Sequence, residues 1–98
     1  MNARFTPAAR ADVSAARQWY RDRNPGIDSR FLQAVDSAVS AISAHPEIGH
    51  EIEPGIRRYL VRGFPYTIFY RLYPAEFVVV ACLHAARDPE SWPRSGAV

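Results

Sequence analysis

The hydrophobic period of this chain of 98 residues changes once, between about His45 and Ile56. Before that point, apolar residues recur at the three- and four-residue spacing of amphipathic helices, and after it they follow the pattern of strands. A chain of this length with one such change has room for a single domain that has a helical part and a sheet part. We therefore predict one α+β domain over residues 1–98, with a tail from about residue 85.

Local signals mark the helical part. A short strand at Ala3–Phe5 is expected to begin the chain, and Thr6 followed by Pro7 is typical of a helix N-terminus. The second helix should stop at His45, because the following Pro46 disfavours helical geometry in its predecessor. A short break separates the two helices, so they should form an antiparallel hairpin.

Three strands are predicted in the second half of the chain. They cover Ile56–Arg62, Pro65–Tyr73 and Glu76–Leu83, and tight links join them. The preceding stretch Pro46–Gly55, rich in proline, glycine and glutamate, reads as a loop. Consecutive strands with short links pair antiparallel, so the predicted order is β-α-α-β-β-β with the hairpin packed on one face of a mainly antiparallel sheet.

Alternation along the strands divides their side chains between two faces. The face that the helices should cover carries Tyr59, Val61, Tyr66, Ile68, Tyr70, Leu72, Phe77, Val79, Ala81 and Leu83. The opposite face, called here the second face, carries Arg58, Leu60, Arg62, Thr67, Phe69, Arg71, Val78, Val80, Cys82 and His84. A two-helix hairpin covers one face, so we expect the second face to be an interaction surface. The alternatives are that the tail with Trp92 seals it, or that a register shift exchanges Arg58 for Arg57.

Composition excludes several classes of chemistry. All 12 basic residues are arginine, so no lysine can act as a nucleophile or Schiff base. The single Cys82 excludes an intramolecular disulfide and a cysteine-based zinc site. The longest apolar run, Phe77–Leu83, is too short for a membrane span, and a cytoplasmic protein is expected. His50 stands near several glutamates, but such spacing in a loop is common by chance, and neither a metal nor a cofactor is expected.

A known pattern runs through the second half of the chain. The stretch Val61–Arg71 is followed by a strand, then by Leu83–Pro89 and Trp92, and Gly55–Arg58 fits a Gly-x-Arg start to the first long strand. This order resembles the RelE/ParE superfamily of toxins from type II toxin–antitoxin modules. The resemblance implies a cytoplasmic toxin that arrests growth and forms a hetero-oligomer with a cognate antitoxin.

The superfamily divides into two activities. RelE-like members cut mRNA on the ribosome, whereas ParE-like members, often plasmid stabilisation proteins, inhibit DNA gyrase. The positions that resemble the nuclease cluster are Arg58, Leu60 and Thr67, and of these only Arg58 is basic. Arg87 matches a later arginine, and His84 is the candidate proton carrier. The depleted cluster favours a ParE-like inhibitor that acts by binding, and the alternative is a ribosome-dependent mRNA endonuclease with His84, Arg87 and Arg58 at its site.

The residues expected to contact a target or an antitoxin are arginines and aromatic residues of the strands and tail, namely Arg58, Arg62, Phe69, Arg71, Arg87 and Trp92. Arginine forks suit phosphate and carboxylate groups. Structural roles stay open, since Arg87 could instead pair with Asp88 or Glu90, and His84 could bond to the tail. A third hypothesis is a binding module without toxicity.

Overall fold

The structure is a computed structural model that describes residues 1–86, so Arg87 and Trp92 lie outside the described residues. The elements in chain order are β1 (Asn2–Phe5), α1 (Pro7–Arg23), α2 (Ile27–Ala44), β2 (His50–Glu53), β3 (Ile56–Leu60), β4 (Tyr66–Leu72) and β5 (Glu76–His84). The strands form one sheet of five in the order β1-β5-β4-β3-β2. Among the described strands, β1 and β5 alone pair in parallel, so the predicted α+β fold with a mainly antiparallel sheet is confirmed.

Short-range contacts fix the ends of both helices. The hydroxyl of Thr6 accepts a hydrogen bond from the N–H of Ala9 at 3.0 Å, which satisfies a donor that the first turn of α1 leaves open. Gly26 reverses the chain before α2 with φ +101°, a conformation that favours glycine. The helix α2 ends before Pro46, and the N–H of His45 closes it on the carbonyl of Ala41.

The core lies between the helical hairpin and one face of the sheet. Its largest fully buried side chains include Phe31 and Ile42 of α2 and Ile68 and Tyr70 of β4. Burial of each such side chain contributes roughly 1.5–3 kcal/mol before conformational entropy is counted. The core therefore holds both helices against one face of the sheet, and the helices do not cover the second face.

The stretch Pro46–Gly55 is not a loop throughout, because residues His50–Glu53 form the additional short strand β2. This strand pairs antiparallel with β3 across a turn in which Gly55 has φ +83°. The prediction failed here because a strand of four residues with three ionisable side chains has little apolar alternation to identify it.

A β-bulge in β5 exchanges the faces of its last residues. Phe69 pairs with Ala81, but the next residue Tyr70 pairs with Val79, so Val80 is an extra residue on β5. The prediction that Ala81 and Leu83 face the helices is therefore wrong, because each extra residue inverts the alternation that follows it. Cys82 and His84 lie on the helix-covered face instead, opposite Ile68 and Tyr66.

The second face is not bare at its centre. Phe69 is 0% exposed and Thr67 is 2% exposed, and Val78 and Ala81 are also buried. The prediction of an open surface is wrong for Thr67, Phe69 and Val78, and among large apolar side chains of the second face Leu60 is the exposed one, at 65%. Trp92, the aromatic residue of the tail that could cover this face, lies outside residues 1–86.

Candidate functional site

Three of the predicted binding residues share the second face. Arg58 of β3 lies directly opposite Phe69 of β4, and Arg71 follows two residues later on the same side. His50 of β2 lies opposite Arg58 on the other side, which extends the row. Phe69 is fully buried, so its ring does not offer a surface that a partner could contact.

The position of Arg57 shows which of the two arginines at the start of β3 lies on the second face. Arg57 pairs with Tyr70 on the helix-covered face, so Arg58 is the arginine of the second face, as the predicted register has it. The guanidinium Nη1 of Arg57 donates to the carbonyl oxygens of Glu47 at 3.0 Å and Gly49 at 2.7 Å. Arg57 therefore has a structural role in holding the segment between α2 and β2.

Tyr70, which is buried in the core, also holds the segment between α2 and β2 through hydrogen bonds. Its hydroxyl accepts a hydrogen bond from the N–H of Gly49 at 3.0 Å and donates one to the carbonyl of Pro46 at 2.7 Å. A Cβ on Gly49 would lie 2.7 Å from that hydroxyl oxygen and 2.8 Å from the carbonyl oxygen of Arg58, which explains why glycine stands there. Burial raises the pKa of Tyr70, so the phenol is a neutral hydrogen-bonding group.

His84 and Arg58 lie on opposite faces of the sheet. His84 lies opposite Tyr66 at the end of β5, and the two rings meet edge to face with centroids 5.2 Å apart. Its Nδ1 accepts a hydrogen bond from the backbone N–H of Ala86 at 3.0 Å. The sheet thus separates two members of the predicted nuclease set, while the third, Arg87, lies outside the described residues.

Asp12 of α1, which no sequence motif distinguishes, is hydrogen-bonded to the bulged part of β5. Its carboxylate Oδ2 accepts a hydrogen bond from the backbone N–H of Cys82 at 3.1 Å. Burial, together with the Asp12 charge, raises the pKa of the Cys82 thiol to about 12. Cys82 is therefore a neutral packing group, because the thiolate is the reactive form of cysteine.

A groove of about 750 Å³ opens between α2 and the turn that joins β3 to β4. Small side chains of α2 line one wall, and the other wall is formed by residues 59–64. The strand β2 pairs with β3 only as far as Arg58, so no described strand flanks the outer edge of β3 at Tyr59 and Leu60. Arg62 lines the same groove just beyond the end of β3, in the turn that joins β3 to β4. Ala34, Ala38 and Ala41 stand at helical spacing in the sequence, but this spacing does not distinguish the wall of a groove from a face packed in the core.

Two further properties concern ligands and membranes. Within residues 1–86, no three side chains of the types His, Cys, Asp or Glu come together where they could hold a metal ion. Neither described helix is long and apolar enough to span a bilayer.

Comparison with known proteins agrees with this architecture. Toxin RelE3 of Caulobacter vibrioides is 26% identical over 81 residues, which are 81% of this chain and 88% of that protein. The structure of the chromosomal ParDE TA system from P. aeruginosa superposes with a TM-score of 0.74 at 20% identity, covering 86% of this chain and 95% of that one. The YoeB/ParE toxin from Agrobacterium tumefaciens gives a TM-score of 0.62 at 12% identity, with 86% and 98% covered.

The family assignment follows from the sequence as a whole. The family described as the ParE toxin of type II toxin–antitoxin system, parDE, matches residues 3–89, which include both helices and every described strand except the first residue of β1. The chain therefore belongs to the ParE toxin family, and it is a toxin of a type II toxin–antitoxin system.

Proposed function

We propose that this toxin arrests growth in the cytoplasm by binding DNA gyrase and inhibiting it. The observation that carries the proposal is the separation of His84 from Arg58 by the β5 bulge. Cleavage of RNA through its 2′-hydroxyl needs a proton carrier and phosphate-binding cations on the same side of one phosphodiester. His84 and Arg58 lie on opposite faces of the sheet, which supports an inhibitor that acts by binding.

The chemistry of the remaining groups supports the same conclusion. Arg58 and Arg71 stay charged near neutrality and hold phosphate or carboxylate groups well, but they are poor proton carriers. His84 already has its Nδ1 engaged by the N–H of Ala86. The row of the second face is thus equipped for electrostatic contact with a macromolecule.

A translation reaction tests the proposal against the mRNA endonuclease. Purified toxin is added to ribosomes that translate a defined message, and primer extension maps any new 5′ ends. We expect an intact message at toxin concentrations that stop gyrase. Cleavage within codons that disappears in both His84→Ala and Arg58→Ala would contradict the proposal and establish the nuclease.

The antitoxin is the partner that membership of a type II system implies, and we assign it to the groove between α2 and the β3–β4 turn. The groove has alanine side chains and one serine on the helix wall, and an edge of β3 that no described strand flanks. Arg62 at its border suits an acidic side chain. An amphipathic antitoxin segment with acidic residues beside its apolar ones fits this surface.

A further inference from the structure

Three arginines form a stripe along α1 that none of the contacts above uses. Arg10, Arg17 and Arg21 are separated by seven and four residues, so at about 100° per residue they lie in one narrow sector of the helix. The acidic residues of α1 lie in other sectors. Asp12 bonds to the N–H of Cys82, and Asp22 accepts a hydrogen bond from Gln18 at 2.8 Å. We call Arg10, Arg17 and Arg21 the arginine stripe.

Asp28 at the start of α2 anchors two members of the stripe. Its Oδ2 accepts a hydrogen bond from Nε of Arg21 at 3.2 Å and lies 3.8 Å from Nε of Arg17. Its Oδ1 accepts the N–H of Gly26 at 3.1 Å. Burial alone would raise the pKa of Asp28, but the bonds from Gly26 and Arg21 and the charge of Arg21 hold it below its ordinary value. Two guanidinium groups thus share one carboxylate and leave an excess positive charge.

In this arrangement the guanidinium groups of Arg17 and Arg21 can bind a second anion in addition to Asp28. Both side chains stay nearly half exposed although their Nε atoms face Asp28. The Nε of Arg17 is buried and has no hydrogen-bond partner, so the carboxylate does not satisfy the pair completely. A side chain held at one edge loses less rotamer freedom when its terminal nitrogens bind a ligand. Arg10, in contrast, is exposed and has no ion-pair partner within the described part of the chain.

The spacing of the stripe suits a regular polyanion. At about 1.5 Å of rise per residue, Arg10 and Arg17 stand roughly 10 Å apart along the axis and Arg17 and Arg21 roughly 6 Å. Duplex DNA carries about one charge per 1.7 Å of its axis, so several phosphates lie within this span. Arginine is the side chain best matched to phosphate oxygens because of its planar fork.

We propose that the arginine stripe of α1 binds the sugar–phosphate backbone of duplex DNA. This surface is separate from the antitoxin groove, since it is formed by α1 and the start of α2, whereas α2 residues 34–41 and residues 59–64 line the groove. Binding of DNA by the arginine stripe does not require gyrase. The proposed DNA binding and the proposed inhibition of gyrase can therefore be disproved independently of each other.

The test is fluorescence anisotropy with a labelled duplex of about 20 base pairs at salt concentrations from about 50 to about 200 mM. With a loss of about 0.9 in log–log slope per phosphate contact, three contacts predict a slope near −2.7 and roughly a 40-fold weaker binding over that range. We expect the variants Arg10→Gln and Arg17→Gln each to flatten the slope by about 0.9. The matched control is Arg4→Gln, because Arg4 is an exposed arginine of β1 that pairs with Glu76 at 3.0 Å.

Each other outcome overturns the proposal. An unchanged salt-dependence slope for the Arg10→Gln variant would show that the stripe does not contact the DNA. This variant decides the question even if Arg17→Gln disturbs the packing of the helical hairpin. Tighter binding to an RNA hairpin of equal charge, or displacement by polyglutamate as readily as by unlabelled duplex, would assign the surface to another partner. Gyrase supercoiling is measured in parallel with the same variants, so a loss of DNA binding is distinguished from a loss of gyrase inhibition.

Discussion

The carboxylate of Asp12 in α1 accepts a hydrogen bond from the backbone N–H of Cys82 in β5 at 3.1 Å, across 70 positions of the chain. The neighbouring Thr6 also bonds to this edge, with its N–H on the carbonyl of Val79 at 3.0 Å. These contacts lie where β1 has ended and β5 bulges. They supply hydrogen bonds to backbone groups of β5 that a longer β1 would otherwise have paired. The side that His84 occupies depends on this bulge.

We expect Asp12→Ala to lower the free energy of unfolding by about 1–3 kcal/mol, because the buried N–H of Cys82 would lose its acceptor. Urea denaturation measures the change. Asp12→Asn keeps an acceptor oxygen and should recover most of the loss, and Asp36→Ala in α2 is the control for removal of a helical carboxylate. Equal stability of the Ala and Asn variants would contradict a role for the hydrogen bond.

The bulge also shows where prediction from the sequence ends. The Thr6–Pro7 signal and the stop at Pro46 were predicted correctly because the contacts that set them lie within a few residues. The segment Val78–Cys82 is apolar at every position, so its alternation fits either face equally well. A carboxylate from α1 is one of the contacts at this edge, and such a distant contact leaves no local mark.

The hydroxyl of Tyr70 is expected to fix the segment between α2 and β2. Tyr70→Phe would leave the N–H of Gly49 and the carbonyl of Pro46 without their partner, at a cost of about 1–3 kcal/mol in the free energy of unfolding. Tyr59→Phe is the matched control, because it removes a phenol oxygen from a residue of β3 that is only partly buried. Thermal unfolding compares the two, and an equal shift in Tm for both would count against the Tyr70 bonds.

Acid should weaken the helical hairpin through Asp28. Its pKa in the folded state lies below its value in the unfolded chain, so its contribution is complete above about pH 4 and is lost as the pH falls through the folded value. Thermal melts between about pH 6 and about pH 2.5 should therefore show a steeper loss of Tm for the natural chain than for Asp28→Asn. Asp36→Asn is the control and should keep the natural slope. Parallel curves for the natural chain and Asp28→Asn would refute the linkage.

Filling the groove should release the toxin from its antitoxin. Ser37 is exposed on α2 and lines the groove, so Ser37→Trp would occupy the space without disturbing the core. We expect the affinity for the antitoxin encoded beside the toxin to fall at least tenfold, which corresponds to about 1.4 kcal/mol. Ser40→Trp is the control, since Ser40 is exposed on the same helix and is not part of the groove. Isothermal titration measures both, and equal affinities would exclude the groove as the binding surface.

The candidate site was predicted only in part from the sequence. The register of β3 and β4 correctly brought Arg58, Phe69 and Arg71 to one face. The burial of Phe69 did not follow from the register, because the pattern of alternation shows which face a residue occupies but not how much of that face is covered. The groove was missed because its two walls come from α2 and from the β3–β4 turn, whose approach is a tertiary contact.

Inhibition of gyrase by binding is the central claim, and a supercoiling reaction with purified gyrase, relaxed plasmid and the purified toxin tests it most directly. We predict that micromolar toxin stops supercoiling, that added antitoxin restores it, and that His84→Ala inhibits as strongly as the natural chain. Normal supercoiling at the highest toxin concentration, together with toxin-dependent cleavage of a translated message, would contradict the account.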